Sequence, residues 1–283
     1  MGSLLALFSS LLWGTADYLA GNLSKKYRAL AVTGVSQFFG LIFGLSVILI
    51  GTQFGSPFIA PNLRWDGYFV AGVIAGVSGF IGLLAFYTGL ATGRMGVVSP
   101  ISSLSVLIPL TVAFVEGERP TSLQIFGITV ALLGAFLASG PEIRGGLPIK
   151  PIIYAVIAAL GFGGALTFIA IGSRVDAIHT MTSMRVASVT ICLIIALSFR
   201  TLGGFKARVI PLLVFIGVAD FLANFLLGVA TTKGLVSIAM VFGSLFPIVT
   251  ALLAFRFLHE RLHKVQYLGI FFAIMGVALI SIG

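Results

Sequence analysis

Long apolar runs follow one another almost without pause through this chain, interrupted only by short stretches of charge, Pro and Gly. A helix that crosses a bilayer needs ~20 mostly apolar residues. The runs have that length, over 3–22, 30–51, 67–91, 95–115, 122–139, 151–172, 178–199, 209–231, 235–257 and 264–282. Ten such spans with short connections use up the 283 residues and leave no room among them for an extramembrane domain. Only 9% of residues are charged and 59% are hydrophobic, against ~25% charged in an average soluble domain. A water-soluble globule is therefore excluded. A membrane β-barrel needs short segments of alternating polarity, and unbroken runs such as 152–171 and 265–282 do not alternate. The expected fold is an all-α integral membrane protein of ten transmembrane helices.

The two sides of the chain repeat each other. Glu118-Arg119, Gln124, Gly127 and Gly134 recur at the same spacing as Glu260-Arg261, Gln266, Gly269 and Gly276. Upstream, Gly89-Leu90-Ala91-Thr92 matches Gly228-Val229-Ala230-Thr231, Pro109 matches Pro247, and Trp13-Gly14 matches Phe162-Gly163. The offset changes between these anchors, so one half carries about an extra helical turn before its Glu-Arg. The expected organisation is a first five-helix repeat over 1–140, a connection over 141–150 and a second repeat over 151–283. An odd number of spans per repeat forces the second half to enter the membrane upside down, a recurring transporter architecture.

Charge sets the orientation. The loops after spans 1, 3, 5, 7 and 9 carry Lys25, Lys26, Arg28, Arg94, Arg144, Lys150, Arg200, Lys206, Arg208, Arg256, Arg261 and Lys264, whereas the opposite loops carry Arg64, Arg119, Arg174 and Lys233. The positive-inside rule makes the richer face cytoplasmic and puts both termini outside. The net charge of +9 comes from residues scattered singly between spans, not from the basic tracts that bind nucleic acid. No nucleic-acid partner is expected. The start lacks a basic leader region, and its first apolar run continues into Asp17-Tyr18, so it reads as a span. The one cysteine, Cys192, lies inside an apolar run, so no intrachain disulfide can form.

Ten spans in two halves, a Trp-Gly in the first span, a Pro in the fourth and ninth, and a Glu followed by Gln-x-x-Gly leading into the fifth and tenth resemble the drug/metabolite transporter superfamily, EamA type. The resemblance covers nearly the whole chain. It implies a carrier of small solutes such as amino acids, sugars, nucleobase-like metabolites or organic cations, working through a central cavity between the halves. It implies neither cofactor nor enzymatic activity, and leaves monomer and homodimer both open. It also implies cytoplasmic termini, the reverse of the charge count.

Several side chains stand out as chemistry inside apolar helices. Asp220 lies near the middle of the eighth span and Asp17 inside the first, and an ionised group at such depth costs ~2.5–3.5 kcal/mol on insertion scales, so it faces a cavity or a partner. Each can be a substrate or proton site, or a structural carboxyl paired with Arg185. Arg185 can clamp a substrate carboxylate, pair with an acid, or reach the headgroups. Gln37 takes the matching place in the second span. Asn224 follows Asp220 by four residues on the same helix face. Trp13, Tyr18, Phe86, Tyr87, Phe162 and Phe168 offer aromatic faces for a cation or flat solute, or simply pack between helices. Pro109 and Pro247 can break their spans for a site or a hinge, with Ser102, Ser103 and Ser244 supplying hydroxyls nearby.

Two motifs narrow the mechanism. His259-Glu260-Arg261-Leu262-His263 fits H-E-x-x-H, the zinc-protease pattern. Its Glu-Arg is the repeat partner of Glu118-Arg119, which has no flanking His, and no third ligand presents itself. An intramembrane zinc metalloprotease is thus the lesser alternative, and no metal is expected. Nor is there a G-x-x-x-x-G-K-[ST] loop, so transport is expected to be facilitated or ion-coupled, with proton coupling through a buried acid as one form of it.

Overall fold

A computed structural model describes residues 1–92, 95–138, 149–198, 204–257 and 263–283. The described residues are helical almost throughout, which is how a chain without water at hand satisfies its backbone donors and acceptors. The helices are α1 (Gly2–Ser24), α2 (Ala29–Gln53), α3 (Tyr68–Thr92), α4 (Met95–Ser103), α5 (Leu107–Val115), α6 (Ser122–Ala138), α7 (Ile149–Ser173), α8 (Ala177–Ser198), α9 (Ile210–Thr231), α10 (Val236–Gly243), α11 (Phe246–Phe257) and α12 (Lys264–Ile282). Eight helical segments are long and apolar enough to cross a membrane, and 101–115 and 122–138 are shorter apolar helices. Apolar helices thus stand at all ten expected positions among the described residues, eight of them long enough to span.

The fourth and ninth spans are each broken in two. Proline has no N–H and crowds the carbonyl four residues back, which is Ser105 for Pro109 and Gly243 for Pro247. A single 3₁₀ turn over Leu104–Val106 separates α4 from α5, and Ser244 and Leu245 separate α10 from α11.

Packing follows a pseudo-two-fold exchange of the halves. α3 lies along α7 as α9 lies along α1; α8 touches α3 as α2 touches α9; the broken fourth span leans on α7 as the broken ninth leans on α1; and α6 pairs with α12. Backbones meet directly at the crossings with the broken spans. A Cβ on Gly14 would lie 2.6 Å from the Phe246 carbonyl oxygen, and one on Gly163 would lie 2.8 Å from that of Ser105. On this register Pro109 faces the place of Thr250, so the two prolines sit about one helical turn apart rather than at equivalent points. Thr250 instead donates its hydroxyl to the Gly14 carbonyl at 3.1 Å.

The repeated Glu-Arg and Gln-x-x-Gly signature has a structural explanation. Gln124 and Thr121 form a reciprocal cap at the start of α6, with Thr121 N donating to Gln124 Oε1 at 2.9 Å and Gln124 N to Thr121 Oγ1 at 3.2 Å. His263 and Gln266 do the same for α12, where His263 N donates to Gln266 Oε1 at 2.9 Å. The glycines of both helices then form one seam: Gly134 fits against the Gly269 carbonyl, Gly127 against that of Gly276, and Gly276 against Ala131. Glu118 does not cap its own helix. It instead takes N–H bonds from Val236 at 2.6 Å and Ser237 at 3.0 Å, the first residues of α10 in the other half. Arg174 and Glu116 add an ion pair between the halves on the same face.

Candidate functional site

Asp220 stands where α9 passes the centre of the bundle, and four side chains converge on it. Trp13 Nε1 donates to Oδ1 at 3.1 Å, Asn224 Nδ2 to Oδ1 at 3.2 Å, Gln37 Nε2 to Oδ2 at 2.9 Å and Arg185 Nη2 to Oδ2 at 2.9 Å. Trp13 and Gln37 come from the first half, Arg185 and Asn224 from the second, so this carboxylate ties the halves together. Helical spacing explains the Asn224 contact, since a side chain four residues on lies over the same face. The Arg185 side chain is 1% exposed and that of Asp220 14%, and the guanidinium also lies 5.8 Å from the Phe221 ring centroid. In so dry a place, losing either partner would leave an uncompensated charge costing about 3–5 kcal/mol. Arg185 Nε and Gln37 Oε1 are buried without hydrogen-bond partners.

Beside this node lies a cavity of about 70 Å³, partly open to the outside. Of the residues singled out in the sequence, Trp13, Asp17, Gln37, Phe162, Arg185, Asp220 and Asn224 line it. Asp17 sits one turn beyond Trp13 on α1, half-buried.

Tyr18, Tyr87, Ser103 and Ser244 are not among the lining residues. Tyr18 is buried against Phe257, with ring centroids 6.4 Å apart, and Ser244 returns its hydroxyl to the Val241 carbonyl at 2.7 Å. Ser102 and Ser103 are likewise buried, and Ser102 donates to the Val98 carbonyl. Phe86 supports the site indirectly, stacked edge-on against Phe162 at 5.6 Å, whereas Phe168 packs into the cluster around Ala165 and Ile169.

The sequence reading missed Phe80, Leu83, Ser105, Met184, Ser188 and Phe246, which complete much of the wall. Ser105 lies within the first helix break and Phe246 follows the second, a signal that was present in the Pro positions. The others are ordinary apolar or small residues on apolar helices. His259 and Glu260 of the H-E-x-x-H pattern lie outside the described residues. His263 caps α12, and among the described residues no three His, Cys, Asp or Glu gather where a metal ion could be held.

Ten apolar spans, two inverted repeats and a polar node beside a central cavity define a multi-pass membrane protein of the solute-carrier kind. The sequence matches the EamA-like transporter family over residues 1–140 and 149–282, and the chain belongs to that family. Its members are membrane transporters of small molecules in the drug/metabolite superfamily, not enzymes. An uncharacterized protein of Methanocaldococcus jannaschii is 27% identical over 131 residues, which make up 46% of this chain and 96% of that protein. That relative therefore has the size of one five-helix half. A crystal structure aligns with a TM-score of 0.79 at 18% identity, covering 99% of this chain and 96% of the other, a likeness of fold.

Proposed function

We propose that this protein is a secondary transporter that moves a small organic metabolite or drug-like solute by alternating access, the two halves rocking around the central cavity. The observation that carries the reading is Asp220, whose four donors come equally from the two halves at the cavity wall. A junction made of hydrogen bonds can be exchanged as the halves move, whereas interdigitated apolar side chains would have to be unpacked. The broken fourth and ninth spans support the same reading, since interrupted helices at mid-depth are where carriers build their sites. Coupling to protons is part of the proposal: one of the two carboxyls at the cavity, Asp17 or Asp220, exchanges a proton as solute enters or leaves.

Uptake into proteoliposomes with an imposed pH gradient tests it, using amino acids, nucleobases, sugars and organic cations as solutes. Accumulation of one class by wild type is expected, with loss of pH-driven accumulation in Asp17→Asn and Asp220→Asn. Accumulation that persists in both variants would sink proton coupling, and no movement of any solute would sink the transporter reading.

For orientation we propose the plasma membrane with both termini outside, on the Lys/Arg asymmetry. In a Cys192→Ser background, Ser3→Cys should react with a membrane-impermeant maleimide added to intact cells. Labelling only after the cells are opened would reverse the assignment.

A further inference from the structure

The ionisable residues lining the cavity are Asp17, Asp220 and Arg185, and the geometry divides their work. A carboxylate offers about four lone-pair sites, and those of Asp220 receive Trp13, Asn224, Gln37 and Arg185. Asp220 is saturated. Arg185 is committed in turn: it is almost wholly buried, and turning its guanidinium toward a substrate anion would strip Asp220 of its compensating charge. Asp17 is different. Its carboxyl lines the cavity and has no cationic partner among the described residues.

The lining therefore carries two carboxyls against one guanidinium, and Asp17 is the one left without a cationic partner among the described residues. The rest of the wall suits what that carboxyl would attract. Trp13, Phe80, Phe162 and Phe246 line the same space, and aromatic faces attract cations through their quadrupole. Apolar surface surrounds these rings, so the cavity favours a solute with an apolar body over a bare metal ion, which would want more oxygen ligands than Asp17 supplies.

We propose that the transported solute is an organic cation whose ammonium group pairs with Asp17 among these aromatic rings, while Asp220 is an anchor that holds the halves together and takes no substrate charge. This rests on the transporter reading above. It also separates two acids that the sequence presents as equals.

The test uses the purified full-length protein and an isosteric series: phenethylamine, phenethyl alcohol, phenylacetate and phenylalanine, with tetraethylammonium as a second cation. Thermal stabilisation reports binding to the native state, and proteoliposome uptake reports movement. The two cations are expected to stabilise wild type at concentrations at least tenfold below the alcohol, and the anion and zwitterion to have no effect. Asp17→Asn should lose the response to both cations while its own unfolding temperature stays near that of wild type, and Asp17→Glu should recover it. Equal binding of amine and alcohol overturns the proposal, as does unchanged cation binding in Asp17→Asn. Uptake of phenylacetate or phenylalanine alone overturns it and leaves the transporter reading standing, whereas no binding and no uptake of any compound overturns both. The wild-type charge series decides the matter even where a variant fails to fold.

Discussion

The seam between α6 and α12 and the cavity wall between α1, α2, α8 and α9 are built from opposite materials. In the seam glycines bring two backbones together, and reciprocal caps close the helix starts, with no charge involved. Around the cavity a buried ion pair and two further donors cross between helices, with empty space and a second carboxyl beside them. In a membrane, where lipid is as apolar as the side chains, association rests on such close approach and on hydrogen bonding. The first region spends its residues on permanence; the second keeps polar groups where they can be exchanged.

The sharpest way to break this contrast is Arg185→Ala. It should cost about 3–5 kcal/mol by leaving Asp220 uncompensated, read as a lower unfolding temperature in detergent. Adding Asp220→Asn to it should recover much of that loss. A double variant no more stable than Arg185→Ala alone would mean the node is held by packing rather than by charge.

The seam should respond to volume instead. A Cβ on Gly134 would lie 2.8 Å from the Gly269 carbonyl oxygen, so Gly134→Ala should cost about 1–3 kcal/mol and leave the preference among solutes unchanged. Gly164→Ala is the control, because its Cβ would find an ordinary contact 3.4 Å from Ser78; it should be neutral or mildly stabilising. Equal losses at both glycines would refute the seam.

Smaller again is Glu118→Ala, which uncaps α10 and should cost about 1 kcal/mol. Last, Asp66→Asn removes the partner of Arg64, a pair joined at 3.0 Å but exposed on both sides. Unfolding should not shift measurably, as for most exposed ion pairs.

The same contrast explains how far the sequence could be read. The seam left its mark because a cap needs a particular residue three positions away and a close approach needs a missing side chain, so Gln124, Gly127 and Gly134 recur in the other half as Gln266, Gly269 and Gly276. Asp17, Gln37, Arg185 and Asp220 were legible for a different reason: each is polar where lipid would tolerate nothing polar. Phe80, Leu83 and Met184 were not legible, because a membrane helix is apolar toward lipid and cavity alike, and hydropathy then has no contrast to offer. The division of labour between Asp17 and Asp220 was equally hidden, being a matter of which donors arrive from helices distant in sequence. So was Glu118, whose bonds reach residues 118 and 119 positions away.

Those bonds of Glu118 also fasten the halves to each other away from the cavity. The carboxylate belongs to one repeat and the two N–H groups to the other, at the start of α10. Asp220 fastens the same two repeats at mid-depth, beside the cavity. The repeats are thus held at two depths by polar groups, so that loosening either fastening alone leaves them joined at the other.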